Sequence, residues 1–174
     1  MPADSTQVLF NNILTEGPNT NVLMYEYFYN GAGVGIGDLN SDGLQDIYFT
    51  GNMVPDKLYL NKSNLRFEDI TEAANIKNRS AMWRTGVTIA DINGDGKPDI
   101  YVSYSGKVRG ENRISQLFIN KGNGNNGIPR FEDEAQQYGL ADSSYSTQAF
   151  FFDYDRDGDL DMLALNHNAN NLPI

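Results

Sequence analysis

The sequence predicts an all-β chain built from four-stranded antiparallel units, and three observations carry that expectation. An Asp-rich segment returns three times, as Gly33–Tyr48, Gly86–Tyr101 and Gln148–Leu163. Around each copy apolar residues alternate with other types at period two, the pattern of a strand. The composition of 17 Gly, ten Tyr and nine Phe, with few long helical patterns, favours strands as well. The copies open on Asp38, Asp91 and Asp153, 53 and 62 residues apart. That period is near one β-propeller blade rather than a short solenoid turn.

The chain divides into a lead-in with an N-terminal strand segment (1–31), a first repeat (32–80), a second (81–140) and a partial third (141–174), all one array. Val8–Leu14 reads as a weak copy of a fourth strand, and Tyr25–Tyr29 as an extra strand or an ordered lead-in. The first strand of a repeat is Val34–Asp38 or Val87–Asp91. There Val34/Ile36 and Val87/Ile89 alternate with Gly35/Gly37 and Thr88/Ala90, small residues that let neighbouring sheets approach. Asp46–Gly51 and Asp99–Ser105 supply the second strand. Lys57–Asn61 and Gln116–Asn120 supply the third, and Arg66–Ile70 and Arg130–Asp133 the fourth. Leu58-Tyr-Leu-Asn61 returns as Leu117-Phe-Ile-Asn120, and Arg66-Phe-Glu-Asp69 as Arg130-Phe-Glu-Asp133. Short helical turns are expected at Thr71–Asn75 and Ala135–Tyr138, and loops at Ser105–Arg113 and Gly122–Pro129. The third copy holds only its two inner strands, which predicts a partial propeller of about two and a half to three blades, an arc with unpaired edges. Such an arc is expected to self-associate or to be completed by missing blades.

Charge and residue types exclude several functions. Thirteen Lys and Arg against 23 Asp and Glu give a formal charge of −10. A nucleic-acid binder needs a basic face, so nucleic acid is not an expected partner. No apolar run approaches the roughly 20 residues of a membrane-spanning helix. Zero Cys removes disulfides, thiolate metal sites and a Cys nucleophile, and a single His removes multi-His zinc.

Between the first two strands of each repeat lies Asp-x-[Asn/Asp]-x-Asp-Gly-x-x-Asp. The polar positions are Asp38, Asn40, Asp42 and Asp46; Asp91, Asn93, Asp95 and Asp99; and Asp153, Asp155, Asp157 and Asp161. Ca²⁺ takes six to eight hard oxygen ligands, and a tight loop folds positions 1, 3 and 5 onto one centre. Gly43, Gly96 and Gly158 at position 6 permit the backbone reversal. Position 7 is expected to offer a backbone carbonyl, from Leu44, Lys97 or Asp159, and position 9 closes the site. The side-chain ligands of the three loops carry as much negative charge as the whole chain's formal −10. About three Ca²⁺ ions are therefore expected, and Mg²⁺, which prefers octahedral geometry and keeps its waters, fits less well. Plain Asp/Asn/Gly turns are the alternative, weakened by three copies at matching positions. An EF-hand is excluded because its position 12 is Phe49, Val102 or Ala164 and the flanks are strand-like.

A short apolar strand, this loop and then Asp-Ile-Tyr resemble the FG-GAP/VCBS repeat family. Gly33–Tyr48 and Gly86–Tyr101 match it well, while Gln148–Leu163 keeps the loop but carries Phe150-Phe-Phe152 in its strand. Tyr25–Gly31, Phe67-Glu-Asp-Ile-Thr71 and Phe151-Phe-Asp-Tyr-Asp155 resemble the bacterial VCBS-repeat proteins that are similar to cartilage acidic protein. The resemblance implies a β-propeller, commonly of about seven blades, with a Ca²⁺ loop between the inner strands of each blade. It also implies an extracellular or cell-surface location, although Met1–Thr6 has no secretory signal, which that location expects to have been trimmed.

The other conspicuous residues carry no chemistry of their own. His167 reads as a strand-end residue with no triad partner in a motif. Glu68/Asp69 and Glu132–Glu134 recur at one repeat position, which argues for structure rather than glycosidase chemistry. Trp83 with Tyr25, Tyr27 and Tyr29 reads as packing rather than as a sugar platform, and Arg109–Glu111 as solvated loop. The functional expectation is a non-catalytic, calcium-binding repeat segment of an adhesion or binding protein, its partner a protein or glycan. The alternatives are a scaffold or accessory module of a secreted carbohydrate-active or other hydrolytic enzyme, and a self-associating structural fragment.

Overall fold

Each strand of the protein pairs antiparallel with the strand next to it in sequence, so the chain is a series of meanders. The computed structural model describes residues 2–79, 83–106 and 112–168. Sheet 1 is β1 (Val34–Gly37), β2 (Asp46–Phe49), β3 (Lys57–Asn61) and β4 (Phe67–Asp69), in that order. Sheet 2 repeats it with β5 (Trp83–Ala90), β6 (Asp99–Ser105), β7 (Gln116–Asn123) and β8 (Pro129–Asp133). Sheet 3 has β9 (Ser146–Phe152) and β10 (Asp161–Asn166). The predicted all-β class therefore holds, as three antiparallel sheets of four, four and two strands among the described residues, which do not close into a barrel there. The single-turn helix α1 (Ala3–Thr6) stands apart from the sheets.

The sheets pack face to face through two apolar layers. Tyr48, Leu58, Leu60 and Ile70 of sheet 1 and its following turn meet Ile100, Val102, Tyr104, Phe118 and Phe131 of sheet 2. Tyr101, Leu117 and Ile119 point the other way, to Ala149, Phe151 and Met162 of sheet 3. Period-two alternation thus feeds both layers from one sheet, and all of β6 is buried. The first strands β1, β5 and β9 lie side by side. A β-carbon on Gly33 would meet Thr85 O at 2.7 Å, and one on Gly86 would meet Thr147 O at 2.5 Å. Gly33 and Gly86 are repeat equivalents, so the two joints between sheets are built alike.

Several expected elements differ in detail. Val8–Leu14 forms no strand: Phe10 stacks on Phe49 (4.9 Å, 13°) and Leu9 N donates to Tyr59 Oη, so side-chain contacts replace a ladder. Of the two readings of Tyr25–Tyr29 the ordered lead-in holds and the extra strand does not: it is a run of turns whose Tyr25 and Phe28 pack with Trp83. Strand β5 begins at Trp83, four residues earlier than expected, because a register shift between Arg84 and Val87 lets pairing with β6 continue past Gly86. The short helical turns expected at Thr71–Asn75 and Ala135–Tyr138 are present, each closed by bonds such as Ala74 N to Ile70 O and Tyr138 N to Glu134 O. Arg109–Glu111 lies outside the described residues.

Candidate metal loops

The three Asp loops share one backbone path. Position 4 is left-handed in each, at Ser41 (φ 60°), Gly94 (71°) and Arg156 (65°), and so is position 6, at Gly43 (85°), Gly96 (83°) and Gly158 (97°). The position-6 reversal was legible from its Gly. The one at position 4 was not, because Ser41 and Arg156 are residue types that rarely adopt it.

Side-chain oxygens hold this path. In loop 1 Asp38 accepts from the N–H groups of Asp42 (3.1 Å) and Gly43 (2.8 Å), and in loop 2 Asp91 does the same for Asp95 (3.0 Å) and Gly96 (2.8 Å). Asn40 and Asn93 each accept from the position-5 N–H through Oδ1, as Asp155 does from Asp157. Asp42, Asp95 and Asp157 each accept from the N–H of position 7, that of Leu44, Lys97 or Asp159. Lys97 also sets its ammonium on Asp95, Nζ to Oδ2 2.9 Å.

Position 9 ties the loop to the sheet. The buried Asp46 accepts from Leu39 N (2.9 Å) and Asn61 N (2.8 Å), and Asp99 from Ile92 N (3.0 Å) and Asn120 N (2.8 Å). Asp161 accepts from Tyr154 N (2.9 Å). Burial pushes the Asp46 carboxyl up to about 6 against the pull of those backbone donors, with the charges of Asp42 and Asp38 adding to the rise. Asp99 is raised for the same reason. In loop 3 the hydrogen bond shared with Asp157, then that residue's charge, raises Asp159.

The donor chemistry fits a hard cation. In loop 3 one carboxylate oxygen from each of Asp153, Asp155 and Asp161 lies within 4.8 Å of the others. Ligands on opposite sides of a Ca²⁺ ion stand about 5 Å apart, so the spacing of that set is compatible with one such ion. Asp157 is not part of this group. Among the described residues, loops 1 and 2 form no three-carboxylate cluster; each has an Asn at position 3, so fewer acids converge.

The other conspicuous residues have structural partners. Lys57 pairs with Asp69 (2.6 Å), Arg79 with Asp133 (2.6 Å) and Lys121 with Glu134 (2.6 Å), so the recurring acids anchor neighbouring strands and turns. Trp83 and Tyr25 are buried against each other and against Phe28, not displayed as a platform. His167 has a partner that sequence reasoning missed: its Nε2 lies 2.7 Å from Ser105 Oγ. Ser105 is fully buried, so this pair links β6 to the end of β10 rather than presenting a nucleophile.

Residues 18–102 match the model of the FG-GAP-like repeat. Over 133 residues, 76% of this chain, the sequence is 31% identical to cartilage acidic protein 1 of Xenopus tropicalis. The chain spans 19% of the length of that relative.

Proposed function

We propose, from the premise that residues 18–102 are FG-GAP-like repeat sequence, that this chain is a calcium-binding, non-catalytic segment of an extracellular binding or adhesion protein. Its sheets are read as adjacent propeller blades. The observation that carries the calcium reading is the convergence of Asp153, Asp155 and Asp161 within one ion's span. The common backbone path of all three loops extends the reading to loops 1 and 2. Asp38, Asn40, Asp42 and Asp46 would hold the first ion, with their counterparts in loops 2 and 3 holding the others. A bound ion supplies charge neutralisation and cross-links the two inner strands of each sheet; the chain's own residues supply a preset loop. An extracellular setting is in keeping with the name of the cartilage relative and with the acidity of this chain.

Calorimetric titration of chelator-stripped protein with CaCl₂ tests the reading. About three sites are expected, and chelation should lower the melting temperature, because the ion binds the folded loops far better than the unfolded chain. A flat titration, with a melting curve indifferent to chelator at neutral pH, would leave the loops as plain turns.

A second reading rests on a separate observation. Phe150, Phe152, Leu163 and Leu165 share the outward face of sheet 3, each between 42% and 50% exposed. We propose that this face takes a further sheet, by self-association where no other is supplied.

A further inference from the structure

Loop 1 differs from the other two in being held from outside its own sheet. Asn120 of β7 donates from Nδ2 to the carbonyl of Leu39 (2.9 Å), and Asn123, at the end of β7, donates to the carbonyl of Asn40 (2.8 Å). Asn40 Nδ2 in turn donates to Asp42 Oδ2 (3.0 Å) and reaches the carbonyl of Gly127, in the β7–β8 connection, at 3.4 Å. With its amide nitrogen engaged by Asp42 and, at longer range, by Gly127 of sheet 2, Asn40 keeps Oδ1 for the loop, where it accepts from Asp42 N (3.3 Å). An Asn serves a hard cation only through that oxygen. Two carbonyls of loop 1 are thus held by sheet 2, which also touches the Asn40 amide through Gly127 O.

We propose that Asn123, with Asn120, is a positioning residue for a cation in loop 1, so that this site and the joint between sheets 1 and 2 strengthen each other. The proposal rests on the calcium reading above. Partners that orient ligands without touching the ion govern affinity because they remove the cost of arranging the ligands. Asn120 also serves its own sheet, donating to Pro98 O (3.1 Å). Asn123 is exposed and is the better probe. Loop 2 is an internal control: sheet 3 has no counterpart of β7 among the described residues, and no cross-sheet amide reaches Ile92 or Asn93 there.

The test is CaCl₂ titration of the stripped full chain as wild type, Asn123→Ala, Asp38→Ala and the double variant. Asn123→Ala should weaken one site about tenfold, and it should be the site that Asp38→Ala deletes. In the double variant the two remaining sites should keep their wild-type affinity. Melting curves with and without Ca²⁺ should show a smaller calcium-dependent rise for Asn123→Ala than for wild type. An isotherm that superimposes on wild type overturns the proposal while leaving the calcium reading intact, and so does an equal weakening of all sites. A wild-type chain that binds no Ca²⁺ overturns both.

Discussion

Arg84 of β5 and Asp56, in the segment before β3, form a buried ion pair across the joint between sheets 1 and 2, Nε to Oδ1 3.2 Å. The pair is well supported. Asp56 also accepts from Tyr48 Oη (2.9 Å) and Gly51 N (2.8 Å). Arg84 donates to the carbonyls of Arg79 (2.5 Å), Gly51 and Val54 (each 3.4 Å), with Tyr104 facing its guanidinium. Taking both charges out of water is costly, so the pair gives weak net stability, yet losing one partner strands the other. Arg84→Ala should therefore destabilise the chain by about 3–5 kcal/mol in denaturant unfolding. The double replacement Arg84→Met with Asp56→Leu should recover a large part of that loss. A double variant no better than the single one would show that the other hydrogen bonds of the two residues, not the charge pair, hold the joint.

Gly33, just before β1, and Gly35 within it separate two kinds of crowding. A β-carbon on Gly33 would meet backbone of β5, Thr85 O at 2.7 Å and Val87 N at 2.9 Å. One on Gly35 would meet only side chains, Ile89 Cδ1 at 3.0 Å first. Side chains can turn aside, whereas a paired strand cannot. Gly33→Ala should cost about 1–3 kcal/mol, near the upper end of that range, and Gly35→Ala clearly less. Equal melting temperatures for the two variants would contradict the backbone contact at Gly33.

His167 gives stability a pH dependence of known sign. Its ring packs beside Tyr25, Tyr27 and Tyr145, with Arg113 stacked over Tyr145 (4.0 Å). Burial lowers its pKa; the nearby Glu26 charge opposes that shift and Arg113 adds to it. The unfolded chain then binds a proton more readily than the folded one. The stability from neutral His167 is present above about pH 6.5 and is lost as pH falls through that value towards the folded-state pKa. In excess chelator, which removes the metal contribution, His167→Gln should flatten the slope of unfolding free energy between about pH 7 and 5. An unchanged slope would show that His167 does not set the pH dependence in that window.

Lys97 competes with any cation in loop 2, since its ammonium occupies Asp95 Oδ2. The pair is largely exposed, so its worth is small. Lys97→Gln should tighten Ca²⁺ binding at loop 2 by about two- to fivefold and leave loops 1 and 3 as they were. A weaker site in the variant would mean that Lys97 helps to shape the loop.

What could be read from the sequence was what repeats locally. Lys57–Asn61 and Asp99–Ser105 were bounded correctly because period-two alternation and flanking turn residues mark strands over a few positions. The small residues opposite Ile89 were read correctly as a sign of close approach. The Asn closing Leu58–Asn61 and Leu117–Asn120 was visible as a repeat. Its use was not: Asn61 bonds its own loop at Gln45 O, whereas Asn120 also crosses to Leu39. Arg84 with Asp56 and Ser105 with His167 are pairs without a period, joined only once the sheets stack. Val8–Leu14 has the residues of a strand, but its place against Phe49 and Tyr59 gives it contacts rather than a ladder.

The exposed face of sheet 3 supplies the last prediction. Leu163 pairs with Phe150 across β9 and β10, and both side chains point away from sheet 2, as do Phe152 and Leu165. The opposite face of the same strands is in use, with Ala149, Phe151 and Met162 packed on Tyr101 and Leu117. Sheet 3 is therefore apolar on both sides with one side covered, the composition of a sheet between two neighbours. Sheet 1 leaves Val34 and Ile36 exposed at 56% and 62%, although their repeat equivalents Val87 and Ile89 pack against sheet 1. Water against these surfaces costs about 25 cal/mol per Å² of apolar area, which favours association of two such faces. The chain should show a concentration-dependent mass in size-exclusion chromatography with light scattering. Phe150→Lys with Leu163→Glu should return it to monomer without lowering the melting temperature of the monomer, because neither side chain contributes to the covered layer. A wild-type chain that stays monomeric at high concentration, with the charged variant indistinguishable from it, would rule out self-association through this face.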